Sequence, residues 1–177
     1  MRTLPILLLC AVPLAAQPPA DTAMDPAKCP MHAQHMAEAH PAEGSAAADL
    51  DRRGDATMGF SHDRTAHHFL LTAEGGVIQV EATDPADTAS RDQIRGHLSG
   101  IAAQFAAGDF SAPGKIHDRV LPGVPEMIQR KAAISWRFEE TERGGRVVIS
   151  TADPIAKAAV RDFLKAQITD HRTGDPG

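Results

Sequence analysis

Cys29, Met31, His32, His35, Met36 and His40 crowd a thiol, two thioethers and three imidazoles into one short run of chain. Thiolate, thioether and imidazole are the soft-to-borderline donors that select copper(I), and zinc less strongly. Close spacing on a flexible strand lets several donors wrap one ion. These six residues are therefore expected to bind a transition metal, copper first and zinc as the alternative. The competing reading is a polar tail in which the His and Met are incidental.

The other histidines lie in sequence with regular hydrophobic patterning. Strand alternation throws His67 and His68 onto opposite faces, His67 with Phe69 and Leu71, His68 with Leu70. At most one of them can join any given site. His97 flanks a helical stripe beside Ile94 and Ile101, and His171 extends a second stripe in line with Val160, Leu164 and Gln167. In His62-Asp63-Arg64 and His117-Asp118-Arg119 a carboxylate adjoins an imidazole, as Asp170 adjoins His171. Such pairs orient histidines at metal sites when the groups face each other. If the helix ends fold toward the first strand, His67 or His68 meets His97, His117 or His171. That would make a second metal site or an acid/base centre; each histidine alone reads as a half-buried structural residue.

Two resemblances follow from these residues. Cys29-Pro30-Met31-His32 resembles the Cys-Pro-Met-His core of the short heavy-metal-binding segment of bacterial copper efflux and resistance proteins. In that family Pro and an acidic residue follow, whereas here Ala33-Gln34-His35 does. The match spans four residues and implies metal contact alone. Met58-Gly59-Phe60, Thr65 to Leu71, Phe110-Ser111-Ala112-Pro113 and Asp170-His171-Arg172-Thr173-Gly174-Asp175 resemble a family of exported bacterial proteins without an assigned activity. This second resemblance implies a distinct small domain and supplies no mechanism.

The elements that must position these groups can be read in order. Arg2, the apolar run Leu4 to Leu14 and the small residues Ala15-Ala16 form an export signal over residues 1–16. Soluble export is favoured over a lipid anchor at Cys10, because Leu9 is bulky before that cysteine. With Cys10 removed, Cys29 is the one mature cysteine and is free, paired between chains, or a metal ligand. Residues 17–56 are rich in Ala, Pro, Asp and Glu and poor in large aliphatics, and are expected to form a disordered tether.

A single folded domain is expected over residues 57–175, with an internal repeat at 67–107 and 132–172. Gly75-Gly76 to Asp84-Pro85 recurs 69 residues later as Gly144-Gly145 to Asp153-Pro154. Allowing one inserted residue, Arg91 to Arg95 matches Arg161 to Lys165. In each copy a strand enters (His67 to Thr72; Ile134 to Glu140), Gly-Gly supplies a hairpin turn and a β-branched strand returns. Asp then caps a helix with Pro in its first turn. Two β-hairpin–helix units predict an α+β fold, a four-stranded antiparallel sheet with two helices on one face. Residues 108–131 are read as a loop with a short helix from Pro125 to Lys131.

Hydrophobic residues make up 42% of the 177 and charged residues 23%, enough for one core, and the formal charge of -5 argues against nucleic-acid binding. No apolar run after the leader is long enough to span a bilayer. Nucleophile elbow, phosphate loop, dinucleotide fingerprint, His-Glu-x-x-His and Cys-x-x-Cys are all missing, so the reading leans away from an enzyme. The sequence thus points to an exported, copper-favoured metal-binding protein in the periplasm or medium, with a periplasmic protein as a further partner. The alternative is a non-catalytic periplasmic domain that binds a protein or small molecule beside an incidental His-rich tail.

Overall fold

β-Branched residues returning from two Gly-Gly pairs build the sheet. In the computed structural model, which describes residues 43–177, β1 (Thr65–Leu71) pairs with β2 (Gly75–Ala82), and β3 (Ser135–Glu140) pairs with β4 (Gly144–Ser150). The order is β1-β2-β4-β3, antiparallel throughout, as the duplicated hairpin–helix reading expects. Ile78 lies opposite Val147, its own counterpart in the repeat, so a local twofold passes between them. Hairpin registers agree too: His67 faces Val80, and Trp136, 69 residues on, faces Ile149. The signal segment, the expected tether as far as residue 42 and the donors Cys29, Met31, His32, His35, Met36 and His40 lie outside the described residues.

The glycine pairs act differently from expectation. They begin the returning strands, while Thr72-Ala73-Glu74 and Thr141-Glu142-Arg143 make the turns. What they permit is close approach. A Cβ on Gly76 would stand 2.2 Å from Leu164 Cδ1 and 2.7 Å from the Leu70 carbonyl oxygen. One on Gly144 would stand 2.2 Å from the Val80 carbonyl oxygen.

The two long helices, α2 (Thr88–Ala107) and α5 (Pro154–His171), cover one face, and each crosses onto the other unit's strands. α2 packs on β4 and β3, and α5 on β1. Asp153 caps α5 as expected, accepting from the Ile155 and Ala156 amides with Pro154 in the first turn. The first helix departs from expectation: its N-cap is Asp87, which accepts from Ser90 and pairs with Arg64 at 2.5 Å. Asp84 instead receives the Ala86 amide in the preceding turn.

Two helices were not foreseen. The expected tether gives way at Glu43 to α1 (Glu43–Met58), whose Leu50 and Gly54 are buried and whose Arg53 Nε donates to the Ile116 carbonyl at 2.7 Å. One large aliphatic before Met58 left no apolar stripe to read. The connecting segment holds α3 (Ser111–His117), beneath α1, as well as α4 (Val124–Gln129). Among the described residues no helix is long and apolar enough to cross a membrane.

Close approach at Gly145, where a Cβ would meet Phe138 Cε2 at 2.6 Å, contrasts with open space around Gly96 in α2. Gly145→Ala is expected to lower stability by about 1–3 kcal/mol through overpacking. Gly96→Ala should raise it by up to about 1 kcal/mol through helix propensity. Urea midpoints of the two variants, moving in opposite directions, check this.

Candidate functional site

Pairing in β1 separates the two adjacent histidines. His68 turns outward, where its Nδ1 lies 3.0 Å from Asp175; the other Asp175 oxygen accepts the Phe69 amide at 2.9 Å. His67 turns beneath the sheet. There it meets His97 of α2, His117 at the end of α3 and His171 at the end of α5 around one cavity of about 60 Å³. Of the adjacent pair, of which at most one was expected to join a site, His67 does and His68 does not; His97, His117 and His171 line the same cavity. The rest of the lining is mainly apolar and includes Met58, Phe69, Phe105 and Phe163.

The rings pack on one another. His67 and His171 are nearly parallel, 11° apart with centroids at 5.7 Å, and His117 meets His171 edge-on at 5.1 Å. Phe60 flanks His67 at 6.2 Å and His97 at 5.6 Å, while Phe69 flanks His171 at 5.5 Å. His67 Nε2 is buried without a hydrogen-bond partner. His117 is held on both sides, Nδ1 by Asp170 at 2.7 Å and Nε2 by the Gln167 amide group at 3.0 Å. Arg119 also pairs with Asp170. The carboxylate that orients His117 is therefore Asp170, 53 residues away, and not the adjacent Asp118, which takes a left-handed conformation at the end of α3.

Burial lowers the pKa of all four imidazoles that line the cavity. It pushes His171 down to about 3, helped by His67, His117 and Arg172, and His67 down to about 4, helped by His97. Burial alone lowers His97. His117 is lowered by burial against the opposing pull of Asp170, and Arg119 shares that carboxylate's charge. His117 Nδ1 faces an Asp170 carboxylate oxygen and its Nε2 faces the Gln167 side-chain oxygen, both of them acceptors for an imidazole N–H. Outside the cavity, partial burial of His62 is outweighed by Asp55, Asp51 and Asp63, which raise its pKa.

Among the described residues no group of three His, Cys, Asp or Glu stands ready to hold a metal ion. The second metal site expected from His67, His68, His97, His117 and His171 is thus not assembled as a polydentate cage. Parallel and edge-on stacking points the rings past one another.

The repeat shows why these positions are unusual. Superposing the helix caps Asp87 and Asp153 aligns buried Ser90 with Ala156, Ile94 with Val160 and Leu98 with Leu164. This overturns the match of Arg91 with Arg161, because the two connections differ in length. In the corrected register His171 corresponds to Phe105, His97 to Phe163 and His67 to Trp136. Those counterparts form an aromatic cluster, with Phe105 and Trp136 at 5.0 Å and Phe105 and Phe163 at 6.0 Å. One half of the domain thus packs aromatic carbon where the other half places imidazoles. Trp136 also buries its Nε1 without a partner, but an indole N–H has no lone pair to offer.

Sequence reasoning missed Met58, Phe60, Gln167 and Arg119 as members of this site. The segment Asp170 to Asp175 had been singled out, and its residues now have separate tasks. Asp170 holds His117, His171 lines the cavity, Arg172 pairs with Asp51 at 3.2 Å, and Asp175 fastens the chain end to β1.

A histidine kept neutral in the fold but titrating near 6.5 when unfolded makes the unfolded state bind more protons as pH falls. The contributions of His67 and His171 are complete above pH 6.5 and lost toward pH 4 and 3, respectively. They are worth on the order of 3 kcal/mol for His67 and roughly 5 kcal/mol for His171. His62, raised, acts oppositely, adding stability at low pH. Urea midpoints of metal-free protein should fall steeply between pH 7 and 4.5, and His67→Leu should flatten that slope; an unchanged slope would contradict the assignment.

No family model, curated protein or solved structure matches this chain, so its function has to be argued from the site itself.

Proposed function

We propose that this is an exported protein that binds a transition-metal ion, copper(I) ahead of zinc, and that the histidine-lined cavity of the folded domain is one of its binding places. The observation that carries the reading is the convergence of four imidazoles on one cavity, with His67 Nε2 buried and unpartnered. Metals bind neutral imidazole, and burial keeps these rings neutral without the cost of releasing a proton. An unpaired buried nitrogen costs about 1–3 kcal/mol, which a bound ion would offset. Three of these polar rings stand where the other half of the repeat packs aromatic carbon, which is hard to explain by packing alone.

The Cys29, Met31, His32, His35, Met36 and His40 segment supplies softer donors and is proposed to capture the ion. Export rests on the leader at residues 1–16. A second reading has support of its own: no three metal-binding side chains are grouped among the described residues, and Ile78, Val80 and Phe105 share the lining. In that reading the cavity takes a small uncharged molecule, and the domain is a binding module.

The test compares two reduced proteins without leader: the full mature chain, and the same chain with all six tail donors replaced by Ser or Ala. Copper(I) is titrated against a chromogenic competitor, with zinc in parallel. The mature chain is expected to bind more than one equivalent of copper(I), and the substituted chain to retain one. Absence of binding by both ends the metal reading; binding lost with the tail donors removes the cavity from it.

A further inference from the structure

We propose that the free edge of β3 joins the same edge of a second copy of this chain, antiparallel about a twofold at Phe138, so that the two sheets become continuous. β3 lies at the margin of the sheet opposite β1 and its cavity histidine His67, and the pairing needs no ligand there.

The hairpin turn sets which backbone groups point outward. Thr141 donates its amide to the Gly144 carbonyl at 3.1 Å. By the alternation of an antiparallel ladder, Glu139, Arg137 and Ser135 then also turn their peptide groups toward β4. Trp136, Phe138 and Glu140 turn theirs to the free edge. The other half of the repeat supplies the comparison. In β1 the same phase, set by Thr72 and Gly75, sends the Phe69 amide outward, where Asp175 accepts it at 2.9 Å. The end of the chain thus closes that edge. Phe138 is the counterpart of Phe69 in the repeat, and among the described residues no group accepts from its amide. An open edge of this kind is a template for pairing with another strand.

Charge then chooses the occupant and the register. Arg137 and Glu139 stand on the face of the sheet away from the helices, paired with each other along the strand; Glu139 also pairs with Arg146 of β4 at 2.7 Å. Bonds form across the edge only where outward groups meet outward groups. Setting Phe138 opposite the partner's Phe138 satisfies this, and it sets Arg137 opposite the partner's Glu139 and Glu139 opposite the partner's Arg137. The smallest permitted shift in either direction instead opposes two arginines at Arg137 or two glutamates at Glu139, and like charges repel. The favourable pairs fall at non-hydrogen-bonded positions, where facing side chains are closer. On the helix-covered side Phe138, half-buried against the core, gains the partner's Phe138 as an aromatic neighbour. Charge of one sign guards an edge against pairing; opposite signs two residues apart make this edge complementary to itself. A strand of 6 residues gives a short contact, hence a weak dimer with Kd on the order of 10–100 μM.

The experiment follows the reduced, metal-free chain without its leader by sedimentation velocity from about 1 μM to about 1 mM, with amide exchange read at both ends of that range. The parent should pass from monomer to dimer. In the concentrated sample the Trp136, Phe138 and Glu140 amides should exchange more slowly, while the Phe69 amide, held by Asp175, should be protected throughout. Arg137→Glu and Glu139→Arg should each raise Kd about 10-fold or more by opposing like charges. Mixed in equal amounts, these two variants should associate, because each charge then meets its opposite across the shared edge. Glu140→Pro removes one outward amide without touching the β3–β4 ladder and should also raise Kd about 10-fold or more. Circular dichroism and urea midpoints establish folding, and Glu140→Pro with Arg137→Glu decides should Glu139→Arg, which faces Arg146, fail to fold. A parent that stays monomeric over the whole range overturns the proposal. So does a dimer that keeps its affinity in folded Arg137→Glu and Glu140→Pro, or a Phe138 amide whose exchange ignores concentration. A mixture of the two folded charge variants that remains monomeric overturns the register at Phe138.

Discussion

The structure depends on how closely β2 and β4 approach at the centre of the sheet. Their seam is a local twofold, with Ile78 opposite Val147, and glycines stand at both ends of it. Glycine is required there because a Cβ at Gly76 would overlap Leu164 and one at Gly144 would overlap the Val80 carbonyl. Closing the seam brings each helix over the partner unit's strands, α2 onto β3 and β4 and α5 onto β1. Neither hairpin–helix unit can bury its own apolar face without the other. The crossing also carries the end of α5, with His171, over His67 of β1, residues more than a hundred positions apart in sequence.

A duplicated scaffold offers an internal control on what packing requires. On the Trp136 side the space between sheet and helix is filled by Phe105, Phe110 and Phe163, with ring centroids 4.4–6.0 Å apart. On the His67 side the same layers carry imidazoles and a cavity of about 60 Å³. Each imidazole buried without charge makes the fold vulnerable to acid, whereas a phenyl ring would not. In acid, stability alone therefore favours Phe at these positions. Arg119, Asp170 and Gln167 extend the same logic outward, since they fix a histidine that packs edge-on against His171.

What could be read from the residues was periodic or local. The hairpin–helix repeat, the separation of His67 from His68, the stripes of both long helices and the Asp153-Pro154 cap all follow from alternation, helical spacing and cap chemistry. What could not be read depended on tertiary contact. α1 has one buried Leu, and the contacts of Gly54 and Arg53 that place it are with Ile116, far along the chain. The Asp84-Pro85 pair mimicked a cap that Asp87 supplies, which shifted the helical register and hid the correspondence of His171 with Phe105. The glycine pairs read as turns because close approach between strands leaves no mark in a single chain segment. Asp118 adjoined His117, yet the bond went to Asp170, because αL backbone at Asp118 ends the helix while α5 brings its carboxylate alongside.

On the proposed metal reading, the placement of polarity would favour a soft cation over an anion or a hard one. An anion would favour protonated imidazoles, but His67 and His171 resist protonation down to about pH 4 and 3. A hard divalent ion would require carboxylates or water, and Asp170, the carboxylate bonded to His117, is already committed to His117 and Arg119. Metal–ligand bonds to neutral nitrogen and sulfur ask for neither counter-charge nor hydration. The same apolar walls that depress imidazole basicity would then disfavour the competitors of a soft ion. Burial, which looks like a liability for four histidines, is what would give such a site its selectivity.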